Sequence, residues 1–243
     1  MIAVQYVRSL IFNISMYVAM VVIGLAYLPL ALLSADGALK GCHAYCRWIH
    51  WSAGWMIGLT VEIRGTPPTD EVMVAAKHQS FLDIIVIFGA IPRGKFIMKQ
   101  ILIYAPVIGQ YGLRIGCIPV NRGKRGQAIA KMIDDVKRGL QRPGQLIIYP
   151  QGTRVAPGDK KPYKIGTGVL YEQLGQDCVP VAINVGVFWP KRGVLRKPGT
   201  AVVEFLPRIP AGKSKEAFIK ELEEVIESNS NRLMAEAGFV ATP

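Results

Sequence analysis

Acidic residues are scarce in this 243-residue chain: 17 Asp and Glu stand against 29 Lys and Arg, a formal net charge of +12. That imbalance points to polyanionic partners, whether nucleic acid, anionic lipid or phosphorylated small molecules. Histidine is scarcer still, with three in all. The four cysteines, Cys42, Cys46, Cys117 and Cys178, show no disulfide framework, and reduced thiols fit a chain facing the cytoplasm. Cys42 and Cys46 flank His43 within an apolar helix, a region with too few ligands for a metal site, so they read as small buried hydrophobes. Internal repeats and low-complexity linkers are absent, leaving one sizeable α/β domain, or a smaller one with an appendage. Apolar residues, by contrast, are plentiful. They make up 51% of the chain and raise mean hydropathy to +0.28. A basic chain this apolar suits a membrane surface before it suits nucleic acid.

The longest stretch without charge runs from Leu10 to Leu33, 24 residues between Arg8 and Asp36. It is long enough to span a bilayer, too long for a signal-peptide core, and has a poor cleavage residue in Leu33. After a turn at Ser34-Ala35-Asp36-Gly37, a second helix is expected over Ala38–Leu59. Trp48, Trp51 and Trp55 fall there within an arc of roughly 60°, beside an arc of Lys40, His43, Arg47 and His50. Indoles at headgroup depth beside cations facing phosphates make an interfacial helix. Residues 1–58 are therefore expected to form a two-helix membrane-associated hairpin, and 59–243 the catalytic domain.

From Thr60 onward, short apolar runs alternate with helical patterns. Strands are expected at Val61–Arg64, Val72–Ala76, Lys95–Met98, Cys117–Val120, Gln145–Tyr149, Cys178–Asn184 and Ala201–Leu206. Helices are expected at Phe81–Ala90, Gln127–Leu140, Gly168–Leu174 and Lys215–Ala237. The alternation predicts an α/β domain with a mostly parallel sheet covered by helices. The last helix is highly charged, with one stripe of Phe218, Leu222, Val225 and Ile226, and reads as a structural outer helix.

Chemistry concentrates on the turns after the strands. Lys77-His78-Gln79-Ser80-Phe81-Leu82-Asp83 joins a buried strand to a helix, placing a histidine five positions before an aspartate. Two readings stand side by side: a general base oriented by a carboxylate, or a capping box in which Asp83 serves the helix end. Cys117 to Gly126 carries a strand into a basic, glycine-punctuated loop ahead of a helix, a phosphate-binding pattern. Tyr149-Pro150-Gln151-Gly152-Thr153-Arg154 repeats the arrangement. Arg154 can grip a phosphate bidentately, and Gln151, Gly152 and Thr153 would form the rim. Val179-Pro180-Val181-Ala182-Ile183-Asn184 is a further such strand end.

These blocks, His78 to Asp83, Ile118-Pro119-Val120-Asn121-Arg122, Tyr149 to Arg154 and Val179-Pro180-Val181, occur in order over about residues 60–210. In order and spacing the sequence resembles the glycerolipid acyltransferase family, in particular the short lysophosphatidic acid (1-acylglycerol-3-phosphate) acyltransferases. The resemblance implies transfer of a fatty acyl group from acyl-CoA or acyl-carrier protein to the sn-2 hydroxyl of lysophosphatidic acid, giving phosphatidic acid. It implies His78 as base, Asp83 as its orienting carboxylate, and Lys99 and Arg154 on the substrate phosphate, with Arg122 a third cation there. The thioester is already activated, so neither metal, cofactor nor enzyme nucleophile is expected, and Ser80, Cys117 and Cys178 need form no acyl intermediate. Ile84–Ile101 with Val107-Ile108 would line the acyl groove. One departure stands out: Gln151 occupies a position that is usually glutamate in this family.

Two rivals share parts of the evidence. The same chemistry could serve another acceptor, such as lyso-ornithine lipid or glycerol-3-phosphate, or the chain could bind anionic membrane lipid without catalysis. Nucleic acid fits worst, because the basic residues are spread over loops beside a tryptophan-bearing hairpin. Localisation on the cytoplasmic face of the inner or plasma membrane follows.

Overall fold

A computed structural model describes residues 2–120 and 143–240, together with Ala130, Asp134 and Arg138. Arg122 and most of the helix expected over 127–140 lie outside the described residues.

Among the described residues seven strands form one sheet: β1 (Leu59–Arg64), β2 (Met73–Ala76), β3 (Gly94–Lys99), β4 (Ile118–Val120), β5 (Gln145–Ile148), β6 (Cys178–Ile183) and β7 (Gly199–Phe205), in the order β1-β7-β6-β2-β5-β3-β4. Every expected strand is present, with ends displaced by one or two residues. The run β6-β2-β5-β3-β4 is parallel throughout, β1 and β7 are parallel to each other, and the two groups meet where β6 opposes β7. Central β2, β5 and β6 are buried at every position, which explains their unbroken apolar runs: both faces are covered. Parallel strands also bring their C-terminal ends to one edge. The turns after β2, β3 and β5 therefore share that edge, the usual place for a ligand in an open α/β sheet.

The N-terminal segment differs in detail from the expected single helix. Helix α1 (Ile2–Ala26) ends before Tyr27, and a short α2 (Leu28–Leu33) follows with Pro29 in its first turn. Proline has no N–H for the carbonyl four residues back, so the helix cannot run through unbroken. Helix α3 (Ala35–Ile57) starts at Ser34, whose Oγ accepts from the Gly37 amide at 2.9 Å. A Cβ on Gly37 would lie 2.0 Å from the Leu30 carbonyl oxygen, so this tight corner requires glycine.

Helix α1 rests on α3. Phe12 and Met16 are buried, Phe12 meets Trp189 edge-on at 5.5 Å, and Gln5 Nε2 donates to the carbonyls of Ile57 and Arg196 at 2.9 Å each. Phe12, Ile49, Ala53 and Ile57 belong to the same apolar core as Val74, Val86 and Ile147 of the sheet and α4 (Leu82–Ala90). The opposite face of α1 is bare: Ile11, Ile14, Val18, Val22 and Leu25 are exposed. By length and composition α1 is the one described helix able to cross a membrane, with 28% of its most apolar stretch buried. Trp51 and Trp55 are 64% and 59% exposed with rings 5.5 Å apart, whereas Trp48 turns into the core. His43 and His50 are partly buried, and burial lowers both pKa values. They leave the cationic arc to Lys40 and Arg47, which are exposed.

So extensive an exposed apolar surface associates with membrane. Replacing Trp51 and Trp55 together by serine is expected to weaken partitioning onto anionic phospholipid vesicles on the order of tenfold. Vesicle sedimentation measures this, and unchanged binding at low and high salt would place the contact elsewhere.

Candidate active site

Strand β2 ends at Ala76 between β5 and β6, and the Lys77 amide makes the last bond to a neighbouring strand, donating to the Val181 carbonyl at 3.2 Å. The chain then turns into α4. Within that turn His78 Nδ1 lies 2.8 Å from Asp83 Oδ1, and Asp83 Oδ2 accepts from the Gln79 and Ser80 amides at 2.8 Å each. Asp83 is fully buried and the His78 side chain is 12% accessible. An ionised carboxylate can only accept, so the hydrogen in the His78–Asp83 contact belongs to Nδ1 and Nε2 keeps its lone pair. Asp83 therefore makes both expected contacts at once: one oxygen faces the imidazole, the other closes the helix start. Ser80 has a local task, its Oγ accepting from the Leu82 amide at 2.8 Å.

The neighbouring turn, after β5, encloses His78. The Tyr149 ring stacks on the imidazole, with centroids 4.0 Å apart and planes 20° from parallel. The Val155 amide donates to the His78 carbonyl at 2.7 Å. Gly152 makes the sharp reversal possible: its φ is +68°, and its amide donates back to the Tyr149 carbonyl at 2.8 Å. Burial first, and then the charge of Asp83, push the Tyr149 pKa well above the usual phenol value, so this hydroxyl remains protonated. Sequence reasoning missed Tyr149 as a site residue. As the last position of an expected strand, it carried no signal of which way its ring would point.

Arg154 opens onto a basin of about 300 Å³ lined also by Thr153, Val155, Asp159, Lys160, Lys161 and Lys191. Among the described residues its guanidinium pairs with no carboxylate, leaving the charge available to an anion. Lys99 ends β3, exposed, on the same edge two strands from β2, a backbone separation of about 10 Å. Gln151 stands apart from its expected place at the rim. It is 2% exposed, and its Nε2 points inward to the Lys161 carbonyl at 3.2 Å and Glu227 Oε1 at 3.4 Å.

The remaining sequence candidates do structural work. Burial pushes the Cys117 thiol up to about 11 and the Cys178 thiol higher still, so both stay protonated near neutral pH and are poor nucleophiles. Asn184 is buried, accepting from the Val202 amide at 2.7 Å and donating to the Leu233 carbonyl at 3.0 Å. Along the stretch expected to line an acyl groove, Ile85, Val86, Ile87 and Phe88 are core residues, while Ile101 and Ile108 are exposed.

A histidine paired with a carboxylate, near an arginine that pairs with no carboxylate among the described residues, is an arrangement able to take a proton from a hydroxyl and to hold an anion. The chain is 27% identical over 194 residues to a 1-acyl-sn-glycerol-3-phosphate acyltransferase of Pseudomonas aeruginosa, covering 79% of this chain and 76% of that one. It is 29% identical over 163 residues to the alpha form of that enzyme from Mus musculus, where the match spans 65% of this chain but 57% of the mouse protein. The crystal structure of the 1-acyl-sn-glycerophosphate (LPA) acyltransferase PlsC from Thermotoga maritima has the same fold, with a TM-score of 0.78 at 22% identity over 95% of this chain and 97% of that one. The model of the Acyltransferase family matches residues 59–184, just over half of the chain and inclusive of both active-site turns, and the chain belongs to that family.

Proposed function

We propose that the chain transfers a fatty acyl group from acyl-CoA or acyl-carrier protein to the sn-2 hydroxyl of lysophosphatidic acid, producing phosphatidic acid at the cytoplasmic face of a membrane. The observation that carries this reading is the His78–Asp83 pair, one strand away from Arg154, which pairs with no carboxylate among the described residues. The acceptor hydroxyl loses its proton to Nε2 as its oxygen attacks the thioester carbonyl. Asp83 stabilises the imidazolium that forms. The tetrahedral intermediate collapses, the C–S bond breaks, and the proton on Nε2 passes to the departing thiolate. No bond from the enzyme to the acyl group is required. Arg154 receives the phosphate monoester, with Lys99 on the same edge and the lysines of the basin enhancing the local field.

The departure at Gln151 bears less on the acceptor than the sequence suggested, because its side chain turns away from the basin. A panel of lysolipids tests the reading: lysophosphatidic acid against acceptors without a phosphate monoester, each with acyl-CoA and acyl-carrier protein. Lysophosphatidic acid is expected to be the preferred acceptor. Arg154→Ala is expected to raise its KM roughly 10- to 100-fold, the value of a charged hydrogen bond, with a smaller change in kcat. Equal turnover of acceptors lacking the monoester would overturn the assignment.

A further inference from the structure

Lys77, immediately before His78, is 1% accessible, and a lysine that deep requires a counter-charge. Helix α5 (Lys215–Glu236) supplies it, crossing from the other end of the chain to pair Glu227 Oε2 with Lys77 Nζ. The other oxygen, Oε1, accepts from Tyr163 Oη at 3.1 Å and Gln151 Nε2 at 3.4 Å. Burial, and then the charge of Glu227, raise the Tyr163 pKa, which keeps that phenol a donor. Gln151 Oε1 is buried and has no donor among the described residues, so the amide acts here through its NH2. One carboxylate thus holds both active-site turns: the one that carries His78, through Lys77, and the one that carries Arg154, through Gln151. The same helix steadies the first turn again where Gln79 Nε2 meets Met234 Sδ at 3.3 Å.

We propose that Glu227 is a positioning residue for acyl transfer, its single negative charge locking the turn of His78 to the turn of Arg154 through Lys77 and Gln151. This inference rests on His78 acting as the base of the reaction proposed above. The cluster holds one carboxylate, one amide and one ammonium. Glu227→Gln leaves Lys77 buried without compensation, and Gln151→Glu sets two carboxylates against one lysine. The double variant Glu227→Gln/Gln151→Glu restores one of each with the positions exchanged.

Each single variant is expected to lower kcat about 10- to 100-fold, as a misplaced catalytic group does, with acceptor KM within about threefold of wild type. The double variant is expected to recover kcat at least about tenfold over the poorer single, a coupling that independent sites do not show. A second readout needs no substrate: the Nδ1 proton resonance of His78, held by Asp83, is expected to broaden or shift in the singles and return in the double. Wild-type kcat in all three, or a double as poor as the two losses multiplied, would reduce Glu227 to a packing residue. If a single fails to fold, the double decides alone, since a folded and active double supports the lock and an unfolded or inactive one overturns it. If lysolipid acylation is absent even in wild type, the reaction assignment fails while the His78 resonance still decides the positioning.

Discussion

His78→Ala is expected to lower kcat by about two to four decades with little change in acceptor KM, the usual value of a positioned general base. As the proposed base, the imidazole would act through a lone pair that matters only as the hydroxyl proton moves, so its loss should fall on the transition state and not on ground-state binding. The folded state should survive, because the ring is partly open to solvent and its one hydrogen bond among the described residues is to Asp83. Steady-state kinetics together with a thermal melt check both halves. Retained kcat would remove His78 from the chemistry.

Asp83→Asn should do as much harm for a different reason. The carboxylate has two oxygens with separate duties: Oδ1 faces His78 Nδ1, and Oδ2 accepts from the amides of Gln79 and Ser80. Asparagine has one oxygen and one NH2. If the oxygen serves the two amides, the NH2 faces Nδ1 and forces it to accept, so the imidazole hydrogen moves to Nε2 and the lone pair needed by the acceptor is lost. If the side chain is flipped, its NH2 confronts two backbone donors and the turn itself is disrupted. The first arrangement is the cheaper, and kcat should fall by about three to four decades with the fold intact, as when a base is held in the wrong tautomer. A variant of lower stability but full activity would show that Asp83 serves only the helix end.

Where position and type alone fixed the outcome, the sequence was legible. The apolar runs in Val72–Ala76 and Cys178–Asn184 marked them as strands, and the polar residues after the first emerge at one sheet edge. The helices α1 to α3 were legible as apolar and tryptophan-bearing, but Trp48 turns inward while Trp51 and Trp55 do not, and periodicity cannot say which side of an arc meets the core. The short helix Ile108–Arg114 went unseen because Gly109 and Gly112 interrupt its pattern. It is preceded by Val107, whose φ of +65° is unusual for a β-branched residue.

Long-range pairings were the least legible. Glu227 sits 150 residues from Lys77, on a helix where Glu216, Lys220 and Glu224 are exposed as a solvated face would be. No local pattern marks the glutamate that meets Lys77. Gln151 misled for the same reason: its motif places it beside Arg154, and its partner lies on a helix from the far end of the chain. The core shared by α1, α3 and the sheet also alters how membrane attachment should be tested. Removing residues 1–58 would strip Ile49, Ala53 and Ile57 from that core, so substitutions at the exposed tryptophans are the cleaner probe.

The most direct measurement follows thiol release from acyl-CoA by the full-length chain on phospholipid vesicles, with and without lysophosphatidic acid, for wild type and His78→Ala side by side. The expected result is release that requires the acceptor, equals the phosphatidic acid formed, and falls by about two to four decades in the variant. Acceptor-independent release, or acceptor-dependent release that His78→Ala leaves unchanged, would contradict direct transfer with His78 as base.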